Sequence, residues 1–298
     1  MGWPEIQASY KELATARNGG APFSRTWAQY RDAVLATRQK PPYHLEMPLR
    51  ILDRLSAQRP AADIRILDYG CGGASTLLYM LALGYRGIHG VDIDGGHEGW
   101  NRLLLEEFGI AEQRFFTYDG INLPFESGLF DLVTSEEVVE HVPPSAIDAY
   151  YANGARVLKP DGIAYFTVPH RLVPYDSHTR TWLIHYLPHS LSRALLRVVT
   201  PASQQSFLDH HLFLRWPWFH RRQLAAHYAE SRDLTRERLL NLVRFDYYDG
   251  PRGLRQVLGN LARLPVAGTL AARLIEPFLL RQTVSSKEAG RLQTMFVS

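Results

Sequence analysis

The chain has few of the features that mark secreted or membrane-spanning proteins. It contains one cysteine in 298 residues, so no disulfide can form within it, which is consistent with a reducing cytoplasm. No apolar run reaches the ~18 residues that a membrane-spanning helix needs. Residues 1–11 are polar and are interrupted by Pro4, which predicts that no signal peptide is present. We therefore expect a cytoplasmic protein, and peripheral membrane contact stays open.

An excess of one sign of charge is also missing. The formal net charge is +3, from 33 basic and 30 acidic residues. This small excess does not indicate the basic surface that binds nucleic acid. We expect a small-molecule or lipid-linked partner instead, and a homodimer stays open. A hydrophobic content of 46% over this length predicts one α/β domain with an appended cap.

The most informative segment is Asp68-Tyr69-Gly70-Cys71-Gly72-Gly73, which follows the apolar residues 64–67. Such an apolar run is typical of a buried parallel strand, and residues 75–80 open a helix after the turn. Gly70 and Gly72 allow a tight turn and the close approach of a ligand, because neither has a Cβ atom. The order strand, acidic residue, glycine turn and helix predicts a cofactor site.

Acidic residues decide between two classes of cofactor. The carboxylate of Asp68 would lie close to the anionic pyrophosphate of a dinucleotide, and Ser75 stands where a dinucleotide loop needs its third glycine. S-adenosylmethionine has no phosphate and carries a cationic amino group and a sulfonium, so it is favoured over the cofactor of an NAD-dependent reductase. Asp92 ends a second apolar strand 24 residues after Asp68, near the interval expected for a ribose ligand.

Three further segments complete a resemblance to a known family. They are the segment that ends in Asp119-Gly120, the apolar residues 130–134, and a Lys-Pro-x-Gly turn within residues 156–162. With them, the chain resembles the class I S-adenosylmethionine-dependent methyltransferases. The resemblance implies that Asp119 accepts a hydrogen bond from the adenine amino group, with Gly120 alongside. We also count Glu136, at the end of the fourth strand, among the cofactor-binding residues.

The resemblance is sharpest at residues 133–143, which are similar to the Glu-x-x-Glu-His-Val segment of the ubiquinone-biosynthesis O-methyltransferases. In that family these side chains are associated with magnesium (Mg²⁺), which maps to Glu137, Glu140 and His141. Positions i, i+3 and i+4 share one face of a helix, so the three side chains can converge. A second role stays open, in which His141 is the general base with Glu140 beside it, since an ordinary histidine pKa of about 6.5 suits proton transfer.

A second match to that family lies upstream, in residues 44–50. It resembles a segment whose arginine contacts the cofactor carboxylate, which maps to Arg50 at the start of a helix expected from Pro48 to Arg59. Ala74 replaces the family's third glycine, and the resemblance covers residues 44–169. It implies O-methylation of a small or lipid-like acceptor, such as a quinone, phenol, sugar or lipid-linked molecule. The alternatives are N- or C-methylation and a catalytically inactive cofactor-binding partner subunit.

The expected fold is α/β, a doubly wound (Rossmann-like) seven-stranded sheet that is mostly parallel with an antiparallel last strand, plus helical and aromatic cap insertions. We expect N-terminal helices that cover the cofactor site in residues 1–60, the cofactor-binding core in 61–170, and an acceptor-side lid, a helical insertion and the final strands in 171–298. Residues 292–297 are apolar enough to be the antiparallel strand.

Two segments beyond the core are candidates for the acceptor side. Eight of the twelve histidines fall in residues 170–228, among aromatic residues, which predicts a lid over the acceptor. His170, a third catalytic candidate, leaves the fifth strand first, and Tyr175, Asp176 and His178 follow it. Residues 251–282 alternate apolar residues and arginines, which predicts an amphipathic helical hairpin that contacts the acceptor, a membrane surface or a second copy of the chain.

Overall fold

A computed structural model of the chain describes residues 27–36, 41–72, 75–93, 110, 112–176, 178–199, 212–244, 270 and 272–296. The chain divides into two compact units. The first unit is Met1–Thr134 with Val157–Gly162, and the second is Ser135–Arg156 with Ile163–Ser298. The three-part division expected from the sequence stays a prediction.

The strands of the described residues are β1 (Arg65–Tyr69), β2 (Gly87–Asp92), β3 (Phe115–Thr117), β4 (Phe130–Glu136), β5 (Leu158–Val168), β6 (Tyr175–Asp176), β7 (Thr181–Trp182), β8 (Glu230–Asp233) and β9 (Arg281–Ser286). Their α-helices are α1 (Trp27–Ala36), α2 (Glu46–Ser56), α3 (Ser75–Ala82), α4 (Ile147–Val157), α5 (His189–Val199), α6 (Pro217–His227), α7 (Thr235–Arg244) and α8 (Arg291–Phe296). Helix α2 therefore begins and ends earlier than the sequence suggested.

Seven strands form one sheet in the order β3-β2-β1-β4-β5-β9-β8. Strand β1 is parallel to both of its neighbours, and Asp68 pairs with Gly90 of β2 and with Thr134 of β4. Strand β9 is antiparallel to β5 and to β8. The predicted fold class, a mostly parallel sheet with an antiparallel last strand, is confirmed. β1 and β4 are almost wholly buried, as their apolar sequences require.

The predicted position of the last strand is wrong. Residues 281–286 form it, whereas residues 291–296 form helix α8. The apolar side chains of Leu292 and Met295 are buried three residues apart, which is a helical spacing, and the polar residues between them are exposed. A turn that ends at Gly290, with φ +84°, separates the strand from this helix.

Other expectations are tested in part. Residues 1–26, 37–40 and 251–269 lie outside the described residues, so half of the expected N-terminal cover and most of the expected helical hairpin do too. The hairpin prediction is wrong at its end, because Arg281 and Gln282 belong to β9. Among the described residues, no helix is both long and apolar enough to cross a bilayer.

Asp131, near the start of β4, is a buried carboxylate with three hydrogen-bond donors. Its Oδ1 accepts from the Arg59 guanidinium at 2.7 Å and from the Lys159 ammonium at 2.8 Å, and its Oδ2 accepts from the Arg65 N–H at 2.8 Å. These contacts join strands β1, β4 and β5 within the first unit. A buried charge of this kind stabilises the fold only as long as its partners remain.

Replacing Asp131 with alanine should destabilise the protein by about 3–5 kcal/mol, because two cations and one N–H would lose their partner. Urea unfolding at pH 7 measures the change. Asp161→Ala is the matched control, since Asp161 is half exposed and its carboxylate lies 4.0 Å from Arg59. That variant should lose at most about 1 kcal/mol. Equal losses in the two variants would show that the buried contacts of Asp131 add nothing beyond a surface ion pair.

Candidate functional site

The turn after β1 has the backbone that its glycines permit. Gly70 has φ +89° and Gly72 has φ +46°, in the left-handed region that a Cβ atom disfavours. The N–H groups of Gly70 and Cys71 both donate to Val91 O, at 2.8 and 3.1 Å. The Gly72 N–H donates to Asp92 Oδ2 at 2.9 Å. The glycine turn and the acidic end of β2 are therefore held together, as a cofactor site at this position requires.

Asp68 and Asp92 concentrate negative charge beside the turn. Asp68 is 6% exposed. Burial, with a smaller contribution from the Asp92 carboxylate, raises the pKa of Asp68 to about 7. Ionised Asp68 is thus unfavourable in the ligand-free protein. A cationic ligand placed here would favour the ionised form.

Asp119 follows β3 and Arg50 lies on α2, and both already have partners within the chain. Asp119 is exposed, and its Oδ1 accepts from the N–H groups of Ile121 and Asn122 at 2.8 and 2.6 Å. Hydrogen bonds from Asn122 and then Ile121 lower the pKa of Asp119. Gly120 has φ +83°, which the turn requires. Arg50 lies 3.5 Å from Glu46 on α2, and the cofactor contacts of Asp119 and Arg50 stay predictions.

The segment after β4 is a tight turn and not the helix that the sequence suggested. Glu136 is the last residue of β4, and Val139–His141 form a single 3-10 turn. Glu137 precedes this turn in the left-handed region, with φ +55°, and its N–H donates to Thr167 O at 2.9 Å. The premise that Glu137, Glu140 and His141 share one helix face is therefore wrong.

Glu140 lies in this turn and is 1% exposed. Among the described residues, neither oxygen of its carboxylate accepts a hydrogen bond. The Nε2 atoms of His141 and His178 lie 3.9 and 4.0 Å from Glu140 Oε1. Burial raises the pKa of Glu140 to about 8, and the neighbouring carboxylates of Glu137 and Asp176 add to this effect. Glu140 is thus suited to bind a proton or a cation near neutral pH.

His178 is oriented by Asp176 on the β6–β7 hairpin. Its Nδ1 lies 3.1 Å from Asp176 Oδ1, and because an ionised carboxylate only accepts, Nδ1 donates. Asp176 Oδ2 accepts from the Thr179 hydroxyl at 2.8 Å. The hydrogen bond with Asp176 raises the pKa of His178, although burial opposes it. Burial alone would raise the pKa of Asp176, but the hydrogen bonds from His178 and Thr179 outweigh it and lower that pKa.

Glu140, His141 and His178 could hold a metal ion. They offer one carboxylate oxygen and two ring nitrogens, all within 4.8 Å of one another. This donor set fits divalent ions that accept imidazole, such as Zn²⁺, Fe²⁺ or Mn²⁺, better than Mg²⁺, which prefers oxygen ligands. The magnesium set of Glu137, Glu140 and His141 stays a prediction. The structure groups two of its members with His178.

Arg215 holds the Glu140 turn in place and was not found by sequence reasoning. Its guanidinium donates to Val139 O at 2.9 Å and to Val142 O at 2.5 Å. The Phe213 N–H donates to Glu140 O at 2.6 Å. Burial lowers the pKa of Arg215. The only signal in the sequence was the unusual composition of residues 170–228, which include this segment.

His170 has both ring nitrogens engaged by the backbone. The Leu172 N–H donates to Nδ1 at 3.2 Å, and Nε2 lies 2.8 Å from Leu279 O, to which it donates. Burial lowers the pKa of His170 to about 4, so the ring is neutral at pH 7. As placed, it has no lone pair available for a substrate proton. Its catalytic role stays a prediction.

Comparison with known proteins adds the following findings. Residues 43–237 match the profile of a family described as a methyltransferase domain. A ubiquinone biosynthesis O-methyltransferase of Aromatoleum aromaticum is 33% identical over 135 residues, which are 45% of this chain and 56% of that protein. The protein of the same name from Hahella chejuensis is 35% identical over 133 residues, 44% of this chain and 53% of its own. The chain thus spans about half the length of the curated relatives it matches.

Comparison with solved structures also matches the chain to that of a geranyl diphosphate C-methyltransferase from Streptomyces coelicolor. It has a TM-score of 0.44 and 15% sequence identity, and the match covers 86% of this chain and 82% of that one.

Replacing Asp68 with asparagine should stabilise the ligand-free protein at high pH. The unfolded chain releases this proton near pH 3.9, whereas the folded state holds it up to about pH 7. The stability that protonated Asp68 contributes is therefore fully present below about pH 3.9 and is lost as the pH rises to about 7. We expect the free energy of unfolding of Asp68→Asn to exceed that of the wild type by about 2–4 kcal/mol at pH 8. This gap should narrow as the pH falls.

Urea unfolding between pH 4.5 and 8.5 measures this gap. Asp63→Asn, at an exposed carboxyl in the turn before β1, is the matched control and should change the free energy of unfolding by less than about 0.5 kcal/mol. A gap that does not vary with pH would show that Asp68 has an ordinary pKa.

Proposed function

This chain belongs to the methyltransferase-domain family, and we propose that it transfers the methyl group of S-adenosylmethionine to an oxygen of a phenol- or catechol-like acceptor. The observation that carries the proposal is the buried Glu140 carboxylate beside His141 and His178. O-methylation requires a group that takes up the hydroxyl proton, and Glu140 is suited to that task. The curated relatives are named as O-methyltransferases, which supports oxygen as the acceptor atom.

The first unit supplies the cofactor site in this proposal. Asp68 carries a pKa raised by burial and by Asp92, so its ionised form needs a positive neighbour. The ammonium and sulfonium groups of S-adenosylmethionine would provide that charge, and Asp92 would hold the ribose. A dinucleotide would bring further negative charge to the same place. The other proposed cofactor-binding residues of this unit are Arg50, Gly70, Gly72, Asp119 and Gly120. Glu136, which was also proposed from the sequence, belongs to the second unit.

The second unit supplies the proton acceptor. As the bond between the methyl carbon and sulfur breaks, the bond between that carbon and the acceptor oxygen forms, and the hydroxyl proton passes to Glu140. The products are the methyl ether, S-adenosylhomocysteine and protonated Glu140. Before transfer, His178 stabilises the ionised Glu140, because its hydrogen bond with Asp176 favours the charged imidazole. A divalent cation held by Glu140, His141 and His178 would lower the pKa of the acceptor hydroxyl.

A transfer assay with methyl-labelled S-adenosylmethionine tests the proposed function. Catechol, 1,2-diaminobenzene and 1,2-benzenedithiol share a ring and differ only in the acceptor atom. We expect label in the product of catechol at least about tenfold above the other two.

Asp92→Ala, which removes the proposed ribose ligand, should weaken cofactor binding by about 1.5–3 kcal/mol. Calorimetry measures the binding, and cofactor binding without transfer to any oxygen acceptor would contradict the proposal.

Glu140→Gln should lower kcat/KM by about 100-fold or more, the usual contribution of a positioned base. Since the base must be ionised, kcat/KM of the wild type should rise with pH through about 8, and this rising limb should disappear in the variant. Glu126→Gln, at an exposed glutamate, is the matched control with unchanged kinetics. An unchanged profile in Glu140→Gln would exclude Glu140 as the base.

Chelation separates the metal role from the metal-free role. If the wild-type enzyme uses a cation, EDTA should abolish transfer, and Zn²⁺, Mn²⁺ or Mg²⁺ should restore it selectively. If Glu140 acts without a metal, EDTA should have no effect and the rising limb should persist. Loss of transfer in Glu137→Gln equal to that in Glu140→Gln would favour the ligand set predicted from the sequence.

A further inference from the structure

A cavity of about 580 Å³ lies within the second unit. This volume is typical of sites for small molecules. Phe166 and Val168 of β5 and Leu224 of α6 form an apolar wall. Tyr151 of α4 and His220 of α6 also line the cavity, and neither was singled out by the sequence motifs. An apolar wall with a few polar groups is the usual composition of a binding pocket.

His220 presents a buried hydrogen-bond donor that has no partner in the part of the chain that the structure describes. The side chain is 4% exposed, and its Nδ1 lies 2.5 Å from the Tyr151 hydroxyl. Among the described residues, Nδ1 is the hydrogen-bond partner of this hydroxyl. The hydroxyl proton is satisfied only if the hydroxyl donates to Nδ1, and the ring proton then lies on Nε2. Nε2 has no hydrogen-bond partner among the described residues. A buried donor left unpaired costs about 1–3 kcal/mol, which a ligand with an acceptor atom would offset.

Neutral His220 fits this role at physiological pH. Burial, with smaller contributions from the Arg215 guanidinium and His170, lowers its pKa to about 3. The ring therefore stays uncharged and donates from Nε2 across the range in which the enzyme would work.

Two further features of α6 favour an anion at the same place. Pro217 and Trp218 begin the helix and line the cavity, so the positive end of the helix dipole lies at its wall. Arg221, one turn later, also lines the cavity and is exposed. Among the described residues, no carboxylate forms an ion pair with its guanidinium.

The carboxylates that line the cavity are already neutralised. Asp233 lies 3.0 Å from the Arg281 guanidinium. Glu276 accepts from Arg236 at 2.7 Å and lies 3.6 Å from Arg281. Neither carboxylate therefore leaves an uncompensated negative charge that would repel an anion.

The cavity wall lies within electrostatic reach of the proposed base. Burial raises the pKa of the Tyr151 hydroxyl, Arg215 lowers it, and the Glu140 carboxylate adds to the increase. Geometry supports the same link, because Arg215, which donates to Val139 O in the Glu140 turn at 2.9 Å, also lies 5.5 Å from the ring of Phe219, the neighbour of His220 on α6. This contact joins the turn of the proposed base to the helix that forms one wall of the cavity, which favours the acceptor as the occupant.

We propose that this cavity binds the methyl acceptor through a carboxylate or phosphate group, with His220 Nε2, Arg221 and the N-terminus of α6 as the donors. Phe166, Val168 and Leu224 would contact the apolar body of the same molecule. The acceptor is then a hydroxylated organic acid or phosphate ester. The identity of the occupant rests on the proposed function, whereas the anion site can be tested without methyl transfer.

Calorimetry with three probes tests the anion site in the full chain. The probes are 3,4-dihydroxybenzoate, 2-hydroxyphenyl phosphate and neutral catechol, and the two anions should bind at least about tenfold more tightly than catechol. Arg221→Ala and His220→Phe should each weaken binding of the anions by about tenfold and leave catechol unchanged. Arg222→Ala, at the next exposed arginine of α6 and outside the cavity lining, is the matched control with unchanged binding.

Equal affinity for the anions and for catechol, or equal losses in Arg221→Ala and Arg222→Ala, would overturn the proposal. Arg221 is exposed, so its variant decides the matter even if His220→Phe does not fold. Labelled-methyl transfer then separates the two proposals. If the anions bind as expected and no probe is methylated, the proposed function fails and the anion site stands. If catechol and 3,4-dihydroxybenzoate are methylated with the same KM, the function stands and the anion site is wrong.

Discussion

The cost of removing carboxylates from water is the constraint on which both units depend. A buried carboxylate must be paired, protonated or bound to a cation, because its ionised form is otherwise strongly disfavoured. Asp131 is paired with three donors from its own unit. Asp68 and Glu140 are buried with no such pairing among the described residues, and their pKa values rise to about 7 and about 8. The positions that the protein leaves uncompensated are those at which a ligand can supply the missing charge.

The sequence predicted the fold class and the backbone of the glycine turn well, because both follow from local patterns. Gly70 and Gly72 adopt positive φ angles directly after a buried strand, as their positions between an apolar run and a helix suggested. The last strand was predicted with the right direction but at the wrong residues. Residues 292–297 are apolar at a spacing that suits a short helix as well as a strand, and in the structure Leu292 and Met295 are buried on α8.

The sequence could not predict the contacts between distant residues. Arg215 holds the backbone of Val139, 76 positions away, and Tyr151 pairs with His220 across 69 positions. No local pattern encodes such pairs. The grouping of Glu137 with Glu140 assumed a regular helix, whereas the chain forms a 3-10 turn that is held by contacts from outside the motif. The concentration of histidines in residues 170–228 drew attention to the segment that contains His178, Arg215 and His220, but it assigned none of their contacts, and the acceptor-side role of the segment stays a prediction.

The burial of Asp68 and Glu140 also bears on how the products of the proposed reaction leave. When the methyl group leaves, the sulfonium becomes a neutral sulfide, so the positive charge beside Asp68 and Asp92 decreases. S-adenosylhomocysteine should therefore satisfy that site less well than S-adenosylmethionine does. In the same step Glu140 gains a proton and becomes neutral, which is the form that its burial favours. Transfer thus removes a positive charge from the cofactor site and a negative charge from the acceptor site. After transfer, the charges at the cofactor site and on Glu140 are closer to those of the ligand-free protein. This similarity favours release of the products.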